Sequence, residues 1–183
     1  TGTLRMELPG PLNREQQRQL ELVQSSANHL LSLINDLLDL ARIERNPQAA
    51  RQETVDVQQL LQEIAATFGP QAERKGLVLG LELPQSPFQL QTDRRALRQI
   101  LFNLTDNAIK YAPQGEIRLG ARAQRQGQTT LHEFWVQDMG PGIAVADQAR
   151  IFEPFARFDS GTQPAPTGAG LGLHVSRKLA LAL

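Results

Sequence analysis

The chain has 183 residues, of which 40% are hydrophobic and 21% are charged. This composition is typical of a globular protein with one ordinary domain and an additional segment. Nineteen basic and nineteen acidic side chains cancel, so no global field attracts nucleic acid or anionic lipid, and we expect no nucleic-acid partner. The absence of cysteine excludes disulfides, thiolate metal sites and cysteine nucleophiles. No apolar run approaches the roughly 20 residues that cross a bilayer, so we expect no membrane contact by this segment.

The first predicted element is a long helix. Residues 1–12 are rich in proline and glycine and indicate a loop or the end of a truncated preceding helix. Asn13, with Gln16 three residues later, forms a variant of the capping box and predicts a helix start. Nothing interrupts the helix until about Arg45, after which Asn46-Pro47 ends it. The sequence therefore predicts a helix over 13–45.

This helix carries a broad apolar stripe. Its main positions are separated alternately by three and four residues, the heptad spacing of helices that pack together. They are Leu20, Val23, Ala27, Leu30, Ile34, Leu37 and Ala41. Further leucines at 31, 33, 38 and 40 widen the stripe, as is typical of a four-helix bundle. One helix cannot bury this surface alone, so we predict a homodimer through residues 13–45.

A linker over 46–52 leads to alternating strands and helices. The patterns predict, in order, a strand at 53–57, a helix at 57–75, strands at 77–83 and 88–91, a helix from the Asp93 cap to Tyr111, a hairpin of strands at 116–124 and 129–137, and a helix from about 171. Such a mixture favours an α/β fold, specifically an α+β two-layer sandwich in which a helical layer covers one mixed, mostly antiparallel sheet. We expect this domain to span 53–183.

The helix after Asp93 has a polar face distinct from its buried face. Asn103, Asn107, Lys110 and Tyr111 follow one another at helical spacing and share that face. An amide oxygen is a neutral ligand suited to Mg²⁺, and a lysine one turn away adds positive charge for phosphates. The alternative is that both asparagines are simply solvated.

A carboxylate and two glycines follow the last predicted strand. Asp138, after the hydrophobic residues 134–136, can accept a hydrogen bond from an exocyclic amino group such as that of adenine. Gly140 and Gly142 allow the main chain to pass close to a flat base. The alternative is an ordinary Asp-x-Gly turn after a strand.

Three glycines precede the last helix. N–H groups at a helix start, freed of side chains at Gly168, Gly170 and Gly172, can form an anion site for phosphates. The alternative is a flexible hinge, and both can hold together. The spacing differs from the dinucleotide G-x-G-x-x-G motif, no strand directly precedes it, and no P-loop motif occurs.

An aromatic segment lies between the two glycine motifs. Phenylalanines in a loop normally anchor it to a core, so we predict that Phe152 and Phe155 are structural latches. Arg157 is a candidate phosphate contact.

Taken together, these segments resemble the catalytic, ATP-binding domain of sensor histidine kinases, which has the Bergerat ATP-binding fold. Residues 103–111 resemble the N box of that family, and 138–142 the G1 box. Residues 152–155 resemble the F box, and 168–172 the G2 box. The stretch 25–44 is similar to the second helix of the preceding dimerisation domain.

The resemblance implies a role for each matching residue. Asn107 would ligate Mg²⁺, Asn103 and Lys110 would face the phosphates, Tyr111 would lie against the nucleotide, and Asp138 would read adenine. Residues 156–170 would form the ATP lid. Further nucleotide contacts would come from Gly140, Gly142, Ile143, Arg157, Gly168, Gly170, Leu171, Gly172 and Leu173.

The implied function is that of a protein-histidine kinase that uses ATP and Mg²⁺. The γ-phosphate would pass to a histidine on an upstream helix absent from this chain, and then to the aspartate of a response-regulator receiver domain in the cytoplasm. Asp106, beside Asn107, could orient or deprotonate that histidine. The parent protein could still be membrane-anchored.

Two departures from the family pattern stand out. The chain has no His-Glu-x-x-Thr-Pro-like stretch, and we expect none of His29, His132 and His174 to replace the phosphoacceptor. The chain also ends at Leu183, where the family normally adds further strands, so we expect the C-terminal strands of a complete domain to be missing.

Two other functions remain open. An ATPase of the gyrase, MutL or chaperone type would need a glutamate four residues before the metal-binding asparagine, a position occupied here by Asn103, which is no base at neutral pH. A degenerate kinase would act only as an interaction module through residues 13–45.

Overall fold

The structure is a computed structural model that describes residues 10–45, 52–84, 86–156 and 170–183. In the first helix it describes only the main chain at 25, 28, 29, 32, 33 and 35–45. The predicted loop at 1–12 and linker at 46–52 lie almost entirely outside the described residues. The elements are α1 (Arg14–Arg45), β1 (Glu53–Asp56), α2 (Val57–Arg74), β2 (Leu77–Glu82), β3 (Gln89–Thr92), α3 (Arg94–Tyr111), β4 (Gly115–Gln126), β5 (Thr129–Gln137), α4 (Val145–Gln148) and α5 (Gly172–Ala182).

Helix α1 begins at the predicted capping box. The main-chain N–H of Gln16 donates to Oδ1 of Asn13 at 2.8 Å, and the N–H of Asn13 donates to Oε1 of Gln16 at 3.0 Å. These two bonds satisfy donors that a helix start otherwise leaves unpaired. Val23, Leu30 and Ile34 of the apolar stripe are exposed within the single chain, which leaves this face available to another helix.

The described strands form two sheets, so the expectation of a single sheet was wrong. Strands β1 and β3 make an antiparallel pair of four residues each. The second sheet has the order β2-β4-β5, with β2 parallel to β4 and β4 antiparallel to β5. The parallel pairing is possible because β3 and α3 form the long crossover between β2 and β4.

Helices α2 and α3 cover one face of the three-stranded sheet, as the predicted two-layer sandwich requires. Side chains of β4 alternate between the two faces. Ile117, Leu119 and Ala121 are buried beneath the helices, whereas Arg118 and Arg122 are exposed on the opposite face. The mixed α/β fold class is confirmed.

The two covering helices are also joined to each other. The rings of Phe68 and Phe102 meet edge-on, with 4.8 Å between their centroids. An ion pair connects Arg94 of α3 with Glu63 of α2 at 2.5 Å. The aromatic contact fixes the spacing of the helical layer, while the half-exposed ion pair adds little stability.

Helix α3 is capped at both ends. Oδ1 of Asp93 accepts a hydrogen bond from the N–H of Ala96 at 2.9 Å, which confirms the predicted start. At the other end, Nζ of Lys75 donates to the carbonyl oxygens of Ile109 at 2.8 Å and Lys110 at 3.3 Å. A cation at this position also opposes the negative end of the helix dipole.

The last helix packs on α3 and also contacts α1. Val175 and Leu179 of α5 form a small second core with Ala96 and Ile100 of α3. Within the described part of the chain, no helix combines the length and apolarity that crossing a bilayer requires.

Candidate functional site

The candidate site is built on the polar face of α3. Asn103, Asn107 and Tyr111 lie on successive turns of the helix. Both asparagines are half-buried, and Tyr111 is exposed. The opposite face carries the buried residues Leu97, Leu101, Thr105, Ala108 and Ile109.

Asn103 connects the polar face of α3 to the last helix, α5. Its Nδ2 donates to the carbonyl oxygen of Gly172 at 3.1 Å and to Oγ of Ser176 at 3.2 Å, while its Oδ1 accepts from Nε2 of Gln99 at 3.3 Å. Both donors of the amide are therefore used within the protein. Gln99 and Ser176 were missed by the sequence reasoning, although each lies four residues from a predicted site residue.

Asn107 has a different environment, because its side chain bonds to no group in the described part of the chain. Among the described residues nothing occupies its amide oxygen, which a cation can therefore approach. No cluster of three or more histidine, cysteine, aspartate or glutamate side chains exists among the described residues that could hold a metal without help. One amide oxygen suits Mg²⁺, which takes its other ligands from phosphate and water.

Lys110 and Asp106 form an ion pair on the same helix. Nζ of Lys110 lies 2.5 Å from Oδ2 of Asp106, and the two side chains are 32% and 34% exposed. The lysine charge is thus partly neutralised in this state. The phosphate-binding role of Lys110 and the orienting role of Asp106 stay predictions.

The segment after β5 packs against the C-terminal end of α3. Oδ1 of Asp138 accepts a hydrogen bond from the N–H of Gly140 at 2.7 Å, and its other oxygen has no partner among the described residues. A Cβ at Gly140 would lie 2.6 Å from Oδ1 of Asp138 and 3.4 Å from the carbonyl oxygen of Tyr111. The glycine therefore allows the turn to approach α3 closely, one helical turn from Asn107.

The turn continues through Gly142 to α4. Gly142 has a φ of 73°, a conformation that L side chains rarely adopt. Ile143 is 47% exposed, and its carbonyl oxygen accepts a hydrogen bond from Nε2 of Gln148 at 3.1 Å. An exposed apolar side chain beside an open turn can cover one face of a planar ligand.

The two predicted latches behave differently. Phe152 is half-buried, and its carbonyl oxygen lies 2.8 Å from Nδ1 of His174. The guanidinium of Arg177 lies 5.5 Å from the centroid of the Phe152 ring. Phe155, in contrast, is 64% exposed with a φ of 62°. The prediction for Phe155 was wrong, because its main chain turns through the left-handed region and leaves the ring in solvent.

The residues before α5 return to the phenylalanine segment. Gly170 has a φ of 70°, and a Cβ there would lie 2.7 Å from the carbonyl oxygen of Ala156. Leu171 is 1% exposed and can offer a ligand only its main chain. It occupies the N-cap position, where its side chain cannot cap. The first N–H groups of α5, from Gly172 to half-buried Leu173, thus lack intrahelical acceptors.

Some predicted residues lie outside the described part. They are Arg157 and Gly168, together with most of the predicted lid over 156–170, and the side chain of His29. His132 is described on β5, where its ring stacks on that of Phe88 at 5.1 Å between centroids.

Three predicted segments therefore meet along α3. A Cβ at Gly172 would lie 3.6 Å from Cγ of Asn103, which is ordinary contact, so the start of α5 touches one end of the polar face. Gly140 touches the other end at Tyr111. Asn107 lies between them, and its amide has no partner in the described part of the chain, so a ligand on this face can reach all three segments.

Comparison with known proteins shows two family matches. Residues 92–183 match the model for "Histidine kinase-, DNA gyrase B-, and HSP90-like ATPase". Residues 1–46 match the model for "His Kinase A (phospho-acceptor) domain". The second match ends one residue after α1, and residues 47–91 lie between the two matches.

Individual relatives agree with these matches. The chain is 34% identical over 94% of its length to the non-motile and phage-resistance protein of Caulobacter vibrioides. It is 36% identical over 93% of its length to the circadian input-output histidine kinase CikA of Synechococcus elongatus. The structure of full-length ShkA in complex with AMPPNP superposes on 99% of this chain with a TM-score of 0.77 at 35% identity, and the match covers 37% of that chain.

The chain spans only about a fifth of the length of the curated relatives, 21% and 22% for the two proteins above.

Proposed function

The chain belongs to the histidine kinase-, DNA gyrase B-, and HSP90-like ATPase family and is related to sensor histidine kinases, and from this membership we propose that residues 53–183 bind Mg-ATP. The domain then presents the γ-phosphate to a histidine nitrogen outside this chain. The phosphoryl group continues to an aspartate of a response-regulator receiver domain.

One observation carries this proposal: the contacts made along the polar face of α3. Asn103 touches Gly172 at one end, Gly140 touches Tyr111 at the other, and between them lies the amide of Asn107, which has no partner among the described residues. A nucleotide with its base toward Asp138 and its phosphates toward α5 would place its phosphate-bound cation beside Asn107. The AMPPNP bound to the ShkA structure is an ATP analogue, which supports a nucleotide in this site.

Each group has a distinct role in this proposal. The second carboxylate oxygen of Asp138 accepts from the adenine amino group, and Tyr111 and Ile143 border the base. Asn107 supplies one ligand to Mg²⁺. The N–H groups of Gly172 and Leu173 and the ammonium of Lys110 bind phosphate oxygens.

The chemistry is positioning and charge neutralisation rather than covalent catalysis by this chain. Magnesium would neutralise phosphate charge, and α5 would add N–H donors. Asp106, now paired with Lys110, becomes available to orient the incoming histidine when Lys110 turns to a phosphate. An Asp106→Asn protein that phosphorylates the histidine at the normal rate would contradict this last step.

We further propose that α1 is the second helix of a dimerisation bundle. Its exposed apolar residues and the match to a phospho-acceptor domain support a homodimer through residues 13–45. Zero net charge gives no reason for a nucleic-acid partner. Since ATP and receiver domains are cytoplasmic, we place this segment in the cytoplasm.

Titration calorimetry of the chain with ATP in the presence and absence of Mg²⁺ tests the nucleotide site. We expect one site whose affinity depends on Mg²⁺. A folded chain that binds no Mg-ATP would indicate an interaction module. Sustained phosphate release without a histidine acceptor would indicate an ATPase of the gyrase type.

A longer chain that includes the preceding bundle helix tests the dimer. We expect a dimer at tens of micromolar in sedimentation equilibrium, and Ile34→Glu should shift it toward monomer, because the charge would enter the apolar stripe. A monomeric parent at that concentration would contradict the proposed role of α1.

A further inference from the structure

Helix α5 holds the phenylalanine segment through two side chains on one of its faces. His174 lies within hydrogen-bonding distance of the Phe152 carbonyl oxygen at 2.8 Å, and Arg177, one turn later, lies over the ring of the same residue. A carbonyl oxygen can only accept a hydrogen bond, so Nδ1 of His174 must carry the proton. The bond therefore fixes the tautomer and the orientation of the imidazole.

A second contact joins the same two segments. The main chain of Gly170 packs directly against the main chain of Phe155 and Ala156. The two contacts lie at different points along both segments. Residues 152–156 therefore cannot rotate relative to 170–174, as they could with a single contact. Residues 152–156 and 170–174 are thus held as one unit.

The first turn of α5 is also held from the opposite side. Asn103 donates to the carbonyl oxygen of Gly172 and to the hydroxyl of Ser176, which is 5% exposed. The turn that offers its N–H groups is therefore fixed between α3 and residues 152–156. The direction of those N–H groups depends on both attachments.

We propose that His174 is a positioning residue of the nucleotide site, which aims the first N–H groups of α5 at the phosphates by fixing this turn to the Phe152 carbonyl. This inference rests on the proposed nucleotide function. Among the described residues, His174 bonds to neither Asp138 nor Asn107. Its removal should weaken phosphate binding and leave contacts to the base intact.

The variants His174→Ala, His174→Asn and His174→Gln separate this role from simple packing. The amide nitrogen of asparagine can replace Nδ1, whereas that of glutamine reaches the position of Nε2. Loss of one such hydrogen bond weakens an interaction by about five-fold. We therefore expect His174→Ala and His174→Gln to bind Mg-ATP about five-fold more weakly and His174→Asn to bind it nearly as the parent does.

Each protein is titrated with Mg-ATP by calorimetry and with adenosine by NMR chemical-shift changes, and its thermal midpoint is recorded. Adenosine lacks phosphates, so its affinity should be the same in all variants. His132→Ala, which removes a histidine from β5, is the matched control and should bind both ligands as the parent does.

Four results would overturn the inference. If the parent chain binds Mg-ATP and His174→Ala binds it equally well, His174 has no positioning role although the nucleotide function stands. If His174→Ala weakens Mg-ATP and adenosine to the same extent, or if His174→Gln rescues as well as His174→Asn, the residue acts through general stability. If the parent itself binds no Mg-ATP, the proposed function fails and the inference fails with it.

Discussion

Replacing Asn107 with alanine should remove the Mg²⁺-dependent part of nucleotide binding while leaving the fold intact. The side chain is half-buried and bonds to no described group, so its loss leaves no donor or acceptor without a partner. Alanine is also the better helix former by roughly 0.5 kcal/mol. We therefore expect the free energy of unfolding to change by less than about 1 kcal/mol.

The expected loss in affinity follows from the role of the amide oxygen. Changing groups that merely support a metal ligand costs about 10- to 100-fold in metal affinity. Losing the protein's direct ligand should therefore weaken Mg-ATP binding by about 100-fold or more, which corresponds to about 2.7 kcal/mol. With EDTA present, the variant and the parent should bind ATP equally weakly.

Calorimetric titration with and without Mg²⁺ measures this difference, and urea denaturation measures stability. Gln62→Ala on α2 is a suitable control, because it also removes an amide from a helix but lies at an exposed position outside the site. Unchanged affinity for Mg-ATP in a folded Asn107→Ala protein would refute the metal assignment.

Other substitutions test the geometry of the supporting structure by chemical denaturation. Gly170→Ala should destabilise by about 1–3 kcal/mol, because its φ is 70° and a Cβ would meet the Ala156 carbonyl oxygen at 2.7 Å. Gly127→Ala, with a φ of 63° but no atom within 4 Å of the added Cβ, should cost less, about 1 kcal/mol, because only the left-handed main chain opposes it. If Gly170→Ala costs no more than Gly127→Ala, the described close approach at Gly170 is incorrect. Lys75→Met should cost about 1 kcal/mol by releasing two carbonyl oxygens of α3, and no change would mean that water replaces the lysine. Asn13→Ala should reduce the helical signal in circular dichroism at 222 nm by fraying α1, at a cost of about 1 kcal/mol, and an unaltered signal would show that the capping box is dispensable.

The sequence was sufficient wherever the controlling interactions are local. Helix α3 begins at Asp93 because that side chain bonds to an N–H only three residues away, and its two faces follow from helical periodicity. The capping box at Asn13 is local in the same sense. In both caps the bonded residues are three positions apart, a spacing that can be recognised in any single sequence.

Interactions between distant segments could not be predicted in this way. Asn103 and Ser176 are 73 residues apart, and no spacing rule indicates that they meet. The parallel pairing of β2 with β4 likewise depends on a crossover through β3 and α3. The left-handed conformation of Phe155 was missed because phenylalanine carries no turn signal.

The candidate site was predictable from the sequence only in part. The motif positions of α3 and the Asp138 turn are brought together as expected, yet Asn103 uses both amide hydrogens within the protein. The roles of individual site residues and the boundaries of the two domains stay predictions.

The double capping of α3 has a consequence for binding thermodynamics. A helix held at Asp93 and by Lys75 needs little rearrangement when a ligand arrives, so adenine meets a preorganised surface and its recognition carries a small entropic penalty. The phosphates instead meet α5, to which Asn103 donates two hydrogen bonds. When the phosphates bind, Asn103 must either keep these bonds or exchange them for bonds to the ligand. Discrimination between nucleoside and triphosphate should therefore reside at the α5 end of the site, and the Asp138 end should contribute a nearly constant increment to every adenine ligand.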